Sequence, residues 1–297
     1  MTKLTHWKKN KMKPLSSFDV TVISVCYKSD NVINNMIASV PVTVPIVLVD
    51  NGNTNEFSQL PCDRTISILN LDENIGFGRG CNAGAALAKT DWLLFLNPDA
   101  QLQETTLQAL LEAAYRYPRA AAFNPKISNS DGSPYFKRRS WLLPRKKYMR
   151  SGWPSSDTEV PVLSGAAIFV SKKLFETIGG FDPNIFLYHE DDDLSLRLAG
   201  FGPLMFIHDA VVSHASGHSS GRSPEVAYFK AFHMARSRIY TGRKHGRPFP
   251  VTSSIIQALG LILSPSVVFS KRRRAKAFGF IKGIRAGSSE VVSIETS

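Results

Sequence analysis

The sequence predicts an α/β fold in which a mostly parallel central sheet is flanked by helices. In the first half of the chain, short runs of β-branched and other apolar residues alternate with helix-like stretches, which is the pattern of βαβ units. Polar residues directly follow several of these runs, and ligands of open α/β sheets bind beyond the carboxyl ends of the strands. The length of 297 residues, with 43% hydrophobic and 20% charged residues, is typical of one main globular domain.

Five apolar segments are predicted to be strands. Each is apolar for most of its length and ends at polar or turn residues, as buried strands of a covered sheet do. The segments are residues 20–26, 46–50, 66–69 and 92–96, and a returning strand at 163–170.

The spacing of apolar residues predicts helices at 104–117 and 172–178, the second ending at a glycine pair. Residues 125–160 lose this periodicity and are rich in Ser, Gly and Pro, which predicts a long loop region. Residues 251–269 are apolar but are interrupted by polar residues and a proline. They therefore fall short of the roughly 20 residues that a membrane-spanning helix requires.

The net charge of +12 arises from the two ends of the chain. Residues 1–13 contain five lysines and no acid, and residues 271–285 contain seven cations and no acid. The remainder is neutral overall, which argues against a nucleic-acid-binding body and favours tails that contact an anionic bilayer surface. In the second tail, apolar residues share one helical face, as in an interfacial helix or in an ordinary docked C-terminal helix. These apolar residues are Ala277, Phe278, Ile281 and Ile284.

The cysteines and the N-terminus indicate a cytoplasmic location. Cys26, Cys62 and Cys81 lie far apart, in or beside apolar runs, so neither a disulfide framework nor a zinc site is predicted. The N-terminus is polar and basic and lacks the apolar run of a secretory signal, so we do not expect export.

A further basic segment lies inside the predicted loop region. Residues 136–150 contain seven cations, three interleaved aromatic residues and no acid. This composition is typical of a solvated basic loop and also of a contact with an acceptor or a lipid headgroup. The cations are Lys137, Arg138, Arg139, Arg145, Lys146, Lys147 and Arg150, and the aromatic residues are Phe136, Trp141 and Tyr148.

Two polar clusters suggest a nucleotide. The first, DNGN at residues 50–53, places Asp50 where its carboxylate could accept the imide N–H of uracil or thymine, although such a run is also a common turn. The second, ENIGFGRGCNAG at 73–84, lacks dinucleotide-binding spacing because Cys81 stands where the third glycine is required. It still predicts a close backbone approach before a helix whose start could lie near phosphate.

Two further residues suggest a divalent cation. Asp99, in the triplet NPD that follows the strand at 92–96, offers one carboxylate, which suffices when a bound diphosphate supplies further oxygens. The triplet is also typical of a turn before the next helix. His214 follows an apolar pair and could be a ligand, since neutral imidazole suits manganese, or a structural histidine.

The most acidic part of the chain is EDDD at residues 190–193. Four successive carboxylates repel one another unless cations or shifted pKa values relieve them, which indicates a functional cluster. The helix-like residues that follow place these acids near a helix N-terminus. We expect Asp192 or Asp193 to cap that helix.

With these residues in place, the chain resembles family 2 glycosyltransferases of the GT-A fold, of the bacterial rhamnosyltransferase-like type. The match runs from about Val20 to about His218 and keeps both order and spacing. It departs from the family pattern where Asn97 replaces the first aspartate of the metal motif and where three aspartates follow Glu190. The segments that carry it are VISVCYKSD, LVDNG, ENIGFGRGCNAG, LFLNPDA and SGAAIFVSKKLFETIGGFDPNIFLYHEDDDLSLRLAGFG.

The resemblance implies roles for individual residues. Asp191 would be the catalytic base, with Glu190 as the alternative, and Asp99 and His214 would hold the metal. The predicted donor-binding residues are Tyr27, Asp50, Asn51, Asn74, Gly76, Phe77, Asn82, Asn97 and Asp99. The predicted acceptor-binding residues are Gly165, His189 and Glu190.

The resemblance further implies an inverting enzyme that uses Mn²⁺ or Mg²⁺ and moves rhamnose or a similar sugar from a dTDP- or UDP-sugar. The acceptor would be a saccharide or a lipid-linked saccharide in cell-surface polysaccharide synthesis, at the inner face of the plasma membrane. We expect a basic flexible segment at 1–17, a GT-A catalytic domain at 18–245 and a helical basic extension at 246–297. The alternatives are a nucleotide-sugar-binding protein without turnover and a nucleic-acid-binding protein.

Overall fold

The computed structural model describes residue 16 and residues 19–53, 57, 60–215 and 223–290. The basic segment predicted at 1–17 therefore lies outside the described residues, apart from Ser16, and so does the end of the family resemblance at His218.

One mixed sheet forms the centre of the described structure. Its strands are β1 (Val20–Cys26), β2 (Ile46–Asn51), β3 (Ile66–Leu71), β4 (Trp92–Leu96), β5 (Ala100–Leu102), β6 (Ala122–Asn129), β7 (Thr158–Glu159), β8 (Ala167–Ser171) and β9 (Leu204–His214). Their order is β3-β2-β1-β4-β8-β6-β9-β5, with β7 also beside β9. The first four strands are mutually parallel, whereas β8 is antiparallel to both β4 and β6. The predicted α/β class is confirmed.

Helices cover both faces of this sheet. They are α1 (Asp30–Ser39), α2 (Phe77–Leu87), α3 (Thr106–Arg116), α4 (Lys172–Thr177), α5 (Glu190–Leu198), α6 (Pro224–Lys244), α7 (Pro250–Ile262), α8 (Ser266–Phe269) and α9 (Lys271–Ser289). The last four, α6 to α9, form a C-terminal unit. A 3₁₀ turn spans Arg145–Lys147. In the described part of the chain, none of the helices has both the length and the apolar character needed to cross a bilayer.

The predicted start of the loop region at residue 125 is wrong, because strand β6 continues to Asn129. Pro125 lacks the N–H that residues of a central strand normally donate, so the sequence argued against a strand at this position. The structure accommodates it with a register shift between Pro125 and Lys126, where β6 pairs with β9.

Two apolar layers fill the space between sheet and helices, because successive side chains of a strand point to opposite faces. Val22 and Leu48 belong to the layer that includes α1 and α3. Ile23 and Val47 belong to the other layer, which includes α2 and α5. The central strands are thus buried on both sides, and polar groups gather at their ends.

The C-terminal unit is built on close packing of α9 against α6. Gly279 and Gly283 face α6 so closely that a Cβ at either position would overlap a carbonyl oxygen of that helix. Of the residues predicted to share an apolar face of α9, Ala277 is buried, whereas Phe278 is 54% and Ile281 41% exposed. Glycines replace bulky residues at the interface because the two backbones approach each other there.

Replacing Gly283 by alanine is expected to lower the free energy of unfolding by about 1–3 kcal/mol, because the new methyl group must push α6 and α9 apart. Gly260 is the matched control, a glycine within α7 whose added Cβ would meet nothing within 4 Å. There alanine should raise stability by up to about 1 kcal/mol through helix propensity. Urea unfolding of both variants measures the difference, and equal values would contradict the close packing.

Candidate active site

A cleft of about 1880 Å³ opens at the carboxyl ends of β1, β2 and β4. Asp99 and Asp191, nearly a hundred positions apart in the chain, both line it. Most of the other predicted site residues line it as well. These are Tyr27, Asn51, Asn74, Gly76, Phe77, Asn97, Gly165, His189, Glu190 and His214.

Asparagine side chains build one end of the cleft. The Asn51 amide nitrogen donates to the Asn74 side-chain oxygen at 3.0 Å, and the Asn51 oxygen accepts from the backbone N–H of Ile75 at 2.9 Å. Gly76 has φ of 92°, and a Cβ there would overlap the carbonyl group of Phe186. These contacts fix the backbone that leads into α2, as the glycine-rich segment predicted.

Two predicted donor-binding residues lie away from the cleft-lining set of the described structure. Asn82 holds the backbone of Phe181, accepting from its N–H at 2.9 Å and donating to its oxygen at 2.8 Å. Both ends of its amide are thereby used within the fold, so its assignment to the donor lacks structural support. Asp50 is 1% exposed at the end of β2, beside Cys26 of β1. Its contact with a nucleobase stays a prediction.

Asp99, His214 and Asn97 meet at the base of the cleft. Strand β5 begins directly after Asp99 and pairs Ala100 with His214, which brings His214 Nε2 within 3.0 Å of Asp99 Oδ1. Asn97 Nδ2 lies 3.4 Å from the same imidazole nitrogen. Within the described ranges, no group of three or more His, Cys, Asp or Glu side chains could hold a metal. The carboxylate and imidazole fit a divalent cation whose remaining ligands come from a bound diphosphate.

The acidic cluster at the start of α5 is neutralised by cations. Lys137 Nζ lies 2.6 Å from Asp191 Oδ2 and 2.9 Å from Asp192 Oδ1. Asp191 Oδ2 also accepts the backbone N–H of Gly165 at 3.0 Å. Burial acts to raise the pKa of Asp192, but Lys137 and His189 hold it well below its usual range. The cluster is therefore an ion-pair network at the cleft wall, in which the Asp191 side chain is 18% exposed and that of Asp192 only 6%.

Asp193 faces away from the cleft toward the C-terminal unit. It pairs with Arg197 at 2.7 Å, Lys244 at 2.7 Å and His245 at 2.8 Å. Although burial acts to raise it, these partners lower its pKa to about 2. The prediction that Asp192 or Asp193 caps α5 is wrong, since the capping position is His189 with φ of 67° and both aspartates lie in the first turn.

Glu190 is the cluster member without a cation within ion-pair distance among the described residues. It is buried, and one of its carboxylate oxygens has no hydrogen-bond partner. Burial and the neighbouring Asp191 charge raise the pKa of Glu190 to about 8. Glu190 therefore binds its proton more tightly than an exposed glutamate does.

The pKa of Glu190 predicts a pH dependence of stability. The unfolded chain releases this proton near its ordinary value of 4.5, whereas the folded protein keeps it up to about pH 8. The stabilisation is therefore complete below about pH 4.5 and is lost as pH rises toward and through 8. In the Glu190→Gln variant the free energy of unfolding should fall less over this range than in the wild type. Urea unfolding at several pH values measures it, with the exposed Glu112→Gln as control, and identical slopes would contradict the assignment.

Sequence reasoning did not assign Lys137 and Tyr135 to this site. Lys137 reaches the acids from the loop after β6, and the Tyr135 ring lies 4.7 Å from the His214 ring between centroids. A signal for Lys137 existed, because the acid-free stretch at 136–150 complements the all-acidic stretch at 190–193. The sequence contained no such signal for Tyr135, because the position of this residue depends on the pairing of β6 with β9.

The sequence profile of the family described as glycosyl transferase family 2 matches residues 21–179. The chain belongs to this family. The match covers the strands and helices that form the Asp99 end of the cleft, and the family resemblance inferred from the sequence is confirmed.

Relatives of this family 2 glycosyltransferase agree with that assignment. The chain is 28% identical over 300 residues to an N-acetylglucosaminyl-diphospho-decaprenol L-rhamnosyltransferase of Mycobacterium tuberculosis, covering 86% of this chain and 96% of the relative. It is 26% identical over 237 residues to the rhamnosyltransferase WbbL of Escherichia coli K12, covering 68% of this chain and 86% of that protein.

Solved structures support the GT-A fold. The crystal structure of GalNAc-T7 with UDP, GalNAc and Mn²⁺ superposes with a TM-score of 0.58 at 14% identity and covers 90% of this chain. This chain spans only 56% of the GalNAc-T7 chain, so the similarity concerns the fold alone.

Proposed function

We propose that this protein transfers rhamnose or a similar sugar from a dTDP- or UDP-sugar to a lipid-linked saccharide, with inversion at the anomeric carbon. The observation that carries the proposal is the presence of Asp99 and Asp191 in one cleft. The two rhamnosyltransferase relatives support rhamnose as the transferred sugar. The name of the M. tuberculosis relative specifies a diphospho-decaprenol acceptor, which supports a lipid-linked acceptor.

Asp191 is the proposed general base. An acceptor hydroxyl beside this carboxylate would lose its proton to Asp191 while its oxygen attacks the anomeric carbon from the face opposite the diphosphate. Such a displacement inverts the configuration and needs no covalent enzyme intermediate. Glu190 is the poorer candidate for the base, because its burial raises its pKa and so favours the protonated form. Gly165 and Lys137 hold the Asp191 carboxylate in place.

Asp99 and His214 are the proposed ligands of Mn²⁺ or Mg²⁺. When bound, the cation would supply positive charge where the leaving diphosphate develops negative charge. Two neighbouring side chains position the His214 imidazole: Asn97 lies beside it, and Tyr135 packs on its ring. The GalNAc-T7 structure, which contains UDP, GalNAc and Mn²⁺, supports the proposal.

The test is a transfer assay with defined partners. Purified protein is incubated with dTDP-rhamnose or with UDP-sugars, each with and without Mn²⁺, and with N-acetylglucosamine on a short isoprenyl diphosphate. We expect one donor to be used and the product to have the anomeric configuration opposite to that of the donor. Retention of configuration would overturn the proposed mechanism.

A membrane-facing surface is the second part of the proposal. Helices α7 and α8 and the link between them expose large apolar side chains, among them Leu263, directly after α7, at 79% and Phe269 of α8 at 88%. The cations of α9 follow immediately, so apolar insertion and attraction to anionic lipids could act together. Phe278 of α9 also lines the cleft, so this surface adjoins the active site. We place the protein at the inner face of the plasma membrane.

Replacing Leu263 and Phe269 by aspartate should weaken binding to phosphatidylglycerol vesicles at least about tenfold, since each side chain loses roughly 1.5–3 kcal/mol of apolar burial. Vesicle sedimentation at low and high salt measures the binding, and salt should weaken it in the wild type. Tyr115→Asp, at a 61% exposed position on α3, is the control. Equal binding of all three proteins would contradict a membrane contact through α7 and α8.

A further inference from the structure

Two arginines lie over the ring of Trp141 beside the active site. The guanidinium carbon of Arg238 is 3.9 Å from the ring centroid, and that of Arg247 is 5.9 Å from it. Arg238 belongs to α6, Arg247 follows that helix, and Trp141 lies in the acid-free stretch at 136–150. Arg238 Nε, Arg247 Nε and Trp141 Nε1 are all buried N–H donors without an acceptor. Buried donors without an acceptor are costly unless a ligand or a water molecule accepts from them.

These arginines also lack a countercharge. Within the described residues, no carboxylate lies within ion-pair distance of Arg238 or Arg247, whereas other cations of the same region are paired. Arg236 contacts Glu290 at 2.6 Å, and Lys244 contacts Asp182 at 2.6 Å. Burial and the nearby Arg247 charge lower the pKa of Arg238. A bound anion nearby would offset this repulsion.

A pocket of about 520 Å³ opens at the same place. Its lining includes Trp141 and two exposed arginines, Arg139 and Arg145, neither of which has a carboxylate partner among the described residues. Arg238 and Arg247 contact Trp141 but are not part of this lining. His189 and Asp192 line both this pocket and the active-site cleft, so the two cavities adjoin. The one carboxylate in the pocket, Asp192, is already paired with Lys137 and His189, each at 2.9 Å.

We propose that this pocket binds the diphosphate of the acceptor. Arginine forks bind phosphate oxygens bidentately, and the two arginines that line the pocket, Arg139 and Arg145, can act in this way. Arg238 and Arg247 lie against the ring of Trp141, which also lines the pocket, and add positive charge beside it. The donor diphosphate is proposed at the opposite part of the site, beside Asp99. The acceptor sugar would then lie between the pocket and Asp191, with its diphosphate one sugar unit from the reacting hydroxyl. This inference rests on the proposed lipid-diphosphate acceptor.

The test removes the two exposed arginines together in the variant Arg139→Gln/Arg145→Gln. The matched control is Lys146→Gln/Lys147→Gln, which removes two charges from the same loop at exposed positions outside the pocket. KM is measured for N-acetylglucosamine on a short isoprenyl diphosphate and for the same sugar on a phosphate-free alkyl chain. We expect KM for the diphosphate acceptor to rise about tenfold or more in the arginine variant, against little change in the control. Equal changes for both acceptors, or in both variants, would overturn the proposal.

Direct binding separates this site from the proposed reaction. With excess nucleoside diphosphate to fill the donor region, inorganic diphosphate is titrated calorimetrically into each protein. The wild type and the lysine variant should bind it, and the arginine variant should bind it at least about fivefold more weakly. If no sugar were transferred from any donor, the proposed function would be refuted. Diphosphate binding that depends on the two arginines would still support the pocket as a diphosphate site. Weaker binding of the arginine variant to phosphatidylglycerol vesicles with unchanged diphosphate binding would overturn the proposal in favour of a bilayer contact.

Discussion

Replacing Asp191 by asparagine is expected to lower the transfer rate by about 100-fold or more while the affinity for the nucleotide-sugar changes little. The amide has nearly the same shape and can still accept the N–H of Gly165, which now donates at 3.0 Å. It cannot take a proton from the acceptor. Lys137 keeps Asp192 as an ion-pair partner at 2.9 Å, so the loop should stay in place.

Single-turnover transfer and calorimetric donor binding measure the two effects separately. Asp209→Asn is the control, because that side chain is 83% exposed on β9 and outside the cleft. The assignment of the base fails if Asp191→Asn transfers the sugar as fast as this control. It also fails if Glu190→Gln has the larger loss, because Glu190 would then be the base.

Replacing Asp99 by asparagine should abolish the enhancement of donor binding by Mn²⁺ and lower transfer by about 100-fold or more. The carboxylate is the only acidic side chain in the described structure within 4 Å of the His214 imidazole. A divalent cation is worth several kcal/mol at a developing diphosphate charge. An amide oxygen is a much weaker ligand for it than a carboxylate oxygen.

Donor affinity with and without Mn²⁺ measures this prediction, with the exposed Asp63→Asn as control. The result that would contradict a cation at Asp99 is an unchanged Mn²⁺ effect in the variant. In that case His214 and Asp99 would form a structural pair, as their 3.0 Å contact also permits.

The sequence predicted the strand ends well because each buried strand is a continuous apolar run that stops at a polar residue. Strands β1 and β4 have the predicted bounds, and they deliver Tyr27 and Asn97 to the cleft. The role of Asn82 in the fold was not predictable, because a polar side chain next to a glycine-rich turn gives no sign of its partner. That partner, Phe181, lies 99 positions away and is fixed only by tertiary packing.

The surroundings of the acidic cluster were less predictable. Its four acids are adjacent in sequence, yet they have separate environments: a cleft for Asp191, the Lys137 pair for Asp192, the C-terminal unit for Asp193 and a buried site for Glu190. Helical geometry points consecutive side chains about 100° apart, so neighbours along the chain meet different partners. The identity of those partners depends on how β6 and α6 pack, which local sequence does not specify.

The central claim is that one cleft brings a donor-binding Asp99 and a proton-accepting Asp191 together. A crystal structure with dTDP and Mn²⁺ tests this claim most directly. We predict Mn²⁺ between Asp99, His214 and the diphosphate, with the diphosphate directed toward Asp191. A nucleotide bound outside this cleft, or a diphosphate without contact to the Asp99 region, would contradict the account.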